Sequence, residues 1–594
     1  MSSNLTSIHP PKAPLAFRVG VVGHRPDRLK HADLGMLSSV MRSVLQVIKD
    51  AVGDFPNFEP GLYDSPAPVL RAVSPLAEGS DRLFAKAAID LGFELCCPFP
   101  FDEDEYQKDF TPGKALEPDS LAHFDQVQEY ARTESALRIF EMDGDPNDRN
   151  TAYGACGEVV LNQSDVLVVV WDQVRLGKRG GTEETFDLAT KKGVPIVVID
   201  ANAPHSWTIY QKANSNALHL RQIVHSLLRL PLADTDEGSW ALRRYYRERR
   251  PRGKRLFGFT WKLFRAVFGF QRRSIRSRER SAGKKDTPVG TDWIDALATH
   301  FANTYRSAFL IAYALAIVAV ALAVAPIARG WLIAGAHERE SQVAILEALV
   351  ILMILFLWIR GRRRHWHERW LDYRLGAELF RHLGMTSTLG SERPFPQLAA
   401  HLAKYGQPGA TWPAWYVRAF ERQQGLPNAR VDHPYLVARL RALEHFVDEQ
   451  IEYHEDTGTR YDNIEHRLHL AGLMFLILTF AAASVHGLGG YVHWLPHSPN
   501  IGGWLIFAGA LFPAIGASLA GINNQGEFRR IAKRSEAMVG HLKELRVNLS
   551  NMEAAGHLRW ESVTKVTAQT SQLMVNEVLD WRVVFLDRPV NPPS

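Results

Sequence analysis

Four apolar stretches lie beyond residue 300: Ala308–Ala328, Val343–Ile359, Leu470–Val485 and Trp504–Ile522. As a helix, each is about long enough to cross the hydrocarbon core of a bilayer, roughly 30 Å thick. Lipid offers a backbone no hydrogen-bond partners, so stretches of this kind must fold as helices. The third, interrupted by Thr479 and Ser484, is the weakest of the four. Flanking charge then sets the orientation. Arg360–Arg364 follows the second stretch, Arg529–Arg534 follows the fourth, and a dense cationic run precedes the first. The turn 487–503 holds no Lys or Arg, and 329–340 holds only two. Both termini, and the long segment between the two pairs, are therefore expected on the cytoplasmic side of the membrane. These flanking cations account for the net charge of +5, so a lipid bilayer is the expected partner and nucleic acid is not. Cys96, Cys97 and Cys156 offer neither a disulfide framework nor metal-ligand spacing, which suits a reducing compartment. The opening residues, MSSNLTSIHPPKAPLAF, lack the apolar core of a signal peptide.

Residues 1–235 follow a different rule. Phe17–Val22, Leu70–Val73, Glu94–Pro98, Val166–Trp171 and Pro195–Ile199 are short apolar runs of strand length. Helical spacing follows the first over Leu34–Val52, and a helix follows the second through Ala88. Between the last two strands lies Gly177-Lys178-Arg179-Gly180-Gly181-Thr182, opening onto a helix over Glu183–Lys192. Strand, glycine loop, helix and strand form a βαβ unit and imply a parallel sheet. The loop reads as an anion site, because glycine permits close approach, helix-start N–H groups donate, and Lys178 and Arg179 add charge. Gly23-His24-Arg25 and Glu78-Gly79-Ser80-Asp81 also follow strands, so all three turns fall on the sheet edge where open α/β sheets bind ligands. Arg25, Lys178, Arg179 and Thr182 suit phosphates, and Glu78, Asp81 and Glu183 suit hydroxyls. Arg138 and Tyr153 are weaker candidates for the same pocket.

VGVVGHRPDRL, SPLAEGSDRLFAKAA and GGTEETFDLATKKGVPIVVID, in that order over residues 17–200, resemble the SLOG superfamily of Rossmann-like domains. That group includes DNA-processing proteins and the cytokinin-activating LOG phosphoribohydrolases. The resemblance implies an α/β Rossmann-like nucleotide-binding domain. LOG enzymes place a catalytic Glu three residues after the Thr of the glycine loop. Here that position is Thr185, and Glu183 and Glu184 precede it. A helix turns about 100° per residue, so neither points where the family's base points. Binding without hydrolysis is the expectation, with no catalytic residue, no metal and no cofactor beyond a nucleotide-derived ligand.

The segment 236–290 is a basic connector. Within it Phe257, Phe259, Trp261, Phe264, Phe268 and Phe270 interleave with Lys262 and Arg265, as in a helix lying on anionic lipid. The apolar pairs then form two hairpin units, 291–390 and 461–594, joined by a helical linker, 391–460. They read as a duplication: Ala308 to Glu378 spans 70 residues and Leu468 to Glu536 spans 68. HERWLDYRLGAELFRHL after the first pair resembles the SLATT family, two-transmembrane effector domains of bacterial defence loci; EFRRIAKRSEAMVGHL departs further. The expected architecture is thus an α/β domain plus an α-helical membrane domain of four transmembrane helices. Glu347, inside the second stretch, is a pore-lining candidate because an intramembrane carboxylate marks function by default. Gly509, Pro513, Gly516, Ala517 and Gly521 give the fourth a small-residue face. Together these features point to an antiviral defence effector, a homo-oligomer gated by a nucleotide second messenger such as a cyclic oligonucleotide or an ADP-ribose-like molecule. A membrane-anchored LOG-like hydrolase and a non-catalytic scaffold are the alternatives.

Overall fold

The computed structural model describes residues 8–64, 67–177, 179–211, 216–231, 236–251, 256–270, 291–329, 337–391, 407–488 and 499–586. Lys178 and parts of the basic connector (252–255 and 271–290) lie outside the described residues.

The front half is built on an eight-stranded sheet: β1 (Ala16–Gly23), β2 (Val69–Val73), β3 (Glu94–Phe99), β4 (Leu137–Glu141), β5 (Val166–Trp171), β6 (Ile196–Asp200), β7 (Trp207–Ile209) and β8 (Ala429–Arg430). The strand order is β7-β6-β5-β1-β2-β3-β4-β8, and every pair is parallel except β6 with β7. Register is fixed by pairs such as Val19 with Ala72 and Val21 with Val168. A parallel sheet is covered on both faces, and accordingly every residue of β5 is buried. Helices fill the crossovers: α1 (Leu34–Phe58), α2 (Ser80–Asp90), α3 (Glu103–Gln107) and α4 (Ser120–Glu134), then α5 (Arg149–Asn162) and α6 (Thr182–Lys192). From β1 the chain steps outward through β2, β3 and β4, then returns to place β5 on the other side of β1. That reversal creates a switch-point crevice at the carboxyl ends of β1 and β5.

Past α7 (Ala217–Leu228), α8 (Asp236–Tyr246) and α9 (Leu256–Phe268) the chain is helical. Four helices are long and apolar enough to cross a membrane: α10 (Thr291–Ala328), α11 (His337–Arg363), and, after α12 (Trp366–Thr386) and α13 (Trp412–Gln424), α14 (His433–Leu488) and α15 (Pro499–Gly526). Helices α16 (Phe528–Ala554) and α17 (Trp560–Leu586) close the fold. The two hairpins end alike. His365 and Glu527 each adopt a left-handed turn, φ 50° in both, followed at once by a buried aromatic, Trp366 or Phe528. Tyr305 stacks on His367 and Trp370, and Tyr461 stacks on Phe528. One element of the likeness fails, since Glu378 is fully buried while Glu536 is exposed.

The two halves interlock. The linker supplies β8 to the sheet, and α13 covers the sheet's amino edge. There the buried Asp165 carboxylate accepts from Arg422 Nε at 2.9 Å and from the Arg18 backbone N–H at 3.1 Å. Arg418 and the Arg18 side chain lie 3.3 and 3.6 Å away. Burial alone would raise this carboxyl, but the three guanidinium groups hold it far below the usual carboxylate range. On the other side, α9 docks through the buried Trp261, whose backbone N–H donates to Ser307 Oγ at 3.2 Å. Its opposite stripe, Phe259, Leu263 and Val267, is exposed beside the point where α10 turns apolar, as expected of a helix resting on a bilayer surface.

Candidate ligand site at the carboxyl edge of the sheet

Two glycines shape the crevice. A Cβ on Gly23 would stand 2.5 Å from Ser80 Cβ, and one on Gly79 would stand 2.9 Å from the His24 carbonyl, at a φ of +83°. Their absence of side chains lets the start of α2 close onto the end of β1, where Ser80 Oγ donates to His24 O at 2.9 Å. His24 is buried, and the Asp172 backbone N–H donates to its Nε2 at 3.1 Å. The Asp172 carboxylate lies 2.9 Å from the same nitrogen. Burial pushes the imidazole below its ordinary value, and the bond to the Asp172 carboxylate pulls the other way. Arg28 holds Asp172 through Nε at 3.1 Å and Nη2 at 2.5 Å. Burial favours the neutral carboxyl, yet the bonds from Arg28 and His24 outweigh it and bring Asp172 down to about 2. Sequence reasoning missed both Asp172 and Arg28. Their signal was Asp172's place directly after β5, at the switch point.

Arg25 sits over the Tyr153 ring at 5.1 Å and has no carboxylate within ion-pair distance among the described residues. Tyr153 donates to Asp109, which Arg149 also holds at 2.5 Å. Asp81 is buried near Arg25; one of its oxygens has no hydrogen bond among the described residues, and burial raises its carboxyl to about 7 against the pull of Arg25. Glu78 does not face the crevice in the same way, because its Oε1 accepts the N–H groups of Leu116 and Glu117 at 3.0 and 3.2 Å. Arg138 lies towards the amino end of β4 and donates to the Gln424 and Leu426 carbonyls, away from this edge.

The glycine loop packs on the start of α5. A Cβ on Gly180 would fall 2.2 Å from the Asn150 carbonyl, and its φ is +75°. Gly157 allows Thr185, which is buried, to pack between α5 and α6. The N-termini of α5 and α6 therefore meet beside Tyr153 and Arg25, and both dipoles favour an anion there. Helix α6 begins at Thr182 after Gly181 with no side-chain cap, so its first N–H groups are left for solvent or ligand. The two acidic residues after Thr182 fold back. Glu183 Oε2 accepts from the Leu176 and Gly177 N–H groups at 2.9 Å each, and Glu184 Oε2 accepts from Gly180 N–H at 2.6 Å. Both carboxylates are thus spent on the loop's own backbone, which organises it and leaves neither as a free general base. Arg179 is exposed at the rim.

The edge also meets the helical half. Arg559 Nη1 donates to Asp143 O at 2.8 Å, and the Trp560 N–H donates to Asp143 Oδ2 at 3.0 Å. These contacts close a cavity of about 190 Å³ against Pro100, Gly144 and Ala152. Trp560 Nε1 reaches the Leu389 carbonyl at 2.8 Å, just past α12.

A family described as a protein of unknown function (DUF4231) matches residues 290–392, the first hairpin with α12. No curated protein and no solved structure matches the chain.

Proposed function

We propose that this chain is a nucleotide-sensing membrane effector, in which a SLOG-like α/β domain controls a SLATT-like helical domain that permeabilises the membrane. A role in antiviral defence at the bacterial inner membrane follows from that pairing. One observation supports the reading above all others: Arg25, with no carboxylate at ion-pair distance among the described residues, stands at the strand-order reversal beside two helix N-termini. Phosphate is the ligand that such a combination favours. A route to the membrane half starts at the same edge. Helix α17 begins against Asp143 and runs about 33 Å from Trp560 to Arg582, which donates to Asp372 of α12 at 2.7 Å. A hydrolase reading is less well served, because Glu183 and Glu184 are engaged by backbone and the third position is the buried Thr185.

A lone chain leaves the apolar faces of α11 and α14 exposed, including Leu349, Leu352, Phe356, Leu476 and Phe480. Glu347 is half-buried on α11. Lipid covers such faces at rest, and packing of several copies would bring Glu347 to a shared axis; a homo-oligomer is accordingly the active form in this reading. Ligand can drive the change only by preferring that form.

The test is a thermal-shift screen of the full chain in detergent with nucleoside monophosphates, NAD and cyclic dinucleotides. A ligand at 100 times its dissociation constant adds about 2.7 kcal/mol. Arg25→Ala should abolish the shift while leaving the unliganded midpoint near wild type. A screen without a hit, or a hit indifferent to Arg25, removes the reading.

A further inference from the structure

A second cavity, of about 230 Å³, lies outside the apolar stretches, among α9, α10, α12, α14 and α17. Four arginines line it, Arg265, Arg306, Arg374 and Arg582, with two carboxylates, Asp295 and Glu577. Arg582 is satisfied by Asp372. Of the other three, Arg374 shares a carboxylate, and Arg265 and Arg306 have none within ion-pair distance among the described residues. Arg374 approaches Glu378 at 3.6 Å, but that carboxylate is already taken by Arg381 at 2.6 Å and His382 at 3.2 Å. Arg306 lies over the rings of Trp261 and Trp370, 5.1 Å from each centroid. Neither Arg306 nor Arg265 has a carboxylate within 4 Å among the described residues. Arg265 is crowded by further cations: burial first, then Arg460 and Arg306, depress its guanidinium.

Neutral groups point the same way. His454 lines the cavity, is 2% exposed, and neither ring nitrogen has a hydrogen-bond partner among the described residues. A buried imidazole without a partner is costly unless something in the cavity meets it. Glu577 accepts from Trp581 Nε1 at 2.9 Å, and burial raises its carboxyl to about 7 against the pull of Arg374. The result is a partly open, cation-rich chamber with aromatic walls, and its arginines suit a multiply charged anion.

We infer that this chamber is a second ligand site, for a phosphate group held by Arg265, Arg306 and Arg374. Guanidinium forks match phosphate oxygens in pairs, which point-charge lysines do not. The volume is below the ~300–1,000 Å³ typical of drug-sized pockets, so it takes a phosphate and the atoms next to it. Arg306 lies two residues before the apolar stretch that starts at Ala308. The phosphate therefore comes either from an anionic lipid headgroup reaching down or from a soluble phosphorylated molecule. The site is separate from the sheet edge and does not depend on the nucleotide reading.

The experiment reconstitutes the full chain in phosphatidylcholine nanodiscs and titrates inorganic pyrophosphate, following the melting midpoint. A parallel arm replaces part of the lipid with phosphatidylglycerol. Stabilisation by pyrophosphate identifies a soluble ligand, and stabilisation by phosphatidylglycerol alone identifies a headgroup; both support the site. Arg265→Gln and Arg306→Gln should each weaken the effective response by about tenfold or more, the loss of one charge-assisted hydrogen bond. Arg306→Lys keeps the cation and part of the response, which separates ligand loss from misfolding. Lys86→Gln, at an exposed cation of α2 that belongs to neither site, should change nothing. The inference fails if neither probe stabilises the wild-type chain. It also fails if the response survives both glutamine variants undiminished.

Discussion

Replacing Asp165 by Asn tests what fastens the sheet to the helical half. The carboxylate is fully buried and faces Arg18, Arg418 and Arg422, of which Arg18 and Arg422 are 2% and 1% exposed. Asn keeps one acceptor oxygen but removes the fully buried negative charge that balances them. Breaking a buried pair by neutralising one partner costs about 3–5 kcal/mol, because the other charge is left uncompensated. Domains are commonly stable by only ~5–15 kcal/mol, so the variant should lose a large part of its margin. The loss should also depend on acid. A carboxyl held below its ordinary value contributes stability above about pH 4, and that contribution disappears as pH falls through the folded value. Wild type and Asp165→Asn should therefore differ most at neutral pH and converge in strong acid. The assay is urea unfolding of the full chain in detergent from pH 7 downward, together with Arg422→Gln and the double variant. The ion-pair account requires the double variant to cost much less than the sum of the singles. A loss under about 1 kcal/mol, or strict additivity, would falsify it.

Three further outcomes follow from named contacts. Asp81 keeps its proton to about pH 7 in the folded chain, so its contribution to stability is fully present below about pH 4 and is lost as pH rises to about 7; Asp81→Asn should raise the melting midpoint at pH 8 and leave it little changed at pH 3. Gly180→Ala forces a left-handed residue against the Asn150 carbonyl and should cost about 1–3 kcal/mol, read as a lower midpoint with early proteolysis of the loop. A reporter fused after residue 496 and one fused near Gly425 should lie on opposite sides of the membrane, and like signals from both would break the four-helix topology.

Much of the sheet was legible because its information is local. The β-branched run Val166–Trp171 is β5 to the residue, and the runs for β1, β2, β3 and β6 lie within a residue or so of the observed bounds. All four apolar stretches are helices, because length and hydropathy alone decide that. What escaped depends on distant partners. β8 is two residues from the linker, and nothing in Ala429–Arg430 says that it will pair with β4. The α/β part was expected to end at 235, yet α13 completes it through Arg422, an ordinary helix-surface residue until Asp165 meets it. Within the site, spacing set Glu183 and Glu184 apart from position 185, but nothing in it said that both would hold their own loop. Arg138 was drawn into the pocket by its neighbours in sequence, whereas strand direction places it towards the opposite edge.

The central claim is that a ligand at the sheet edge opens the membrane. Its most direct test is dye release from liposomes carrying the full chain, on adding whichever nucleotide of the screen raises the melting midpoint. The account predicts release with wild type, none with Arg25→Ala, and none from wild type without the nucleotide. Liposomes that stay tight while the same nucleotide still stabilises the protein would contradict it.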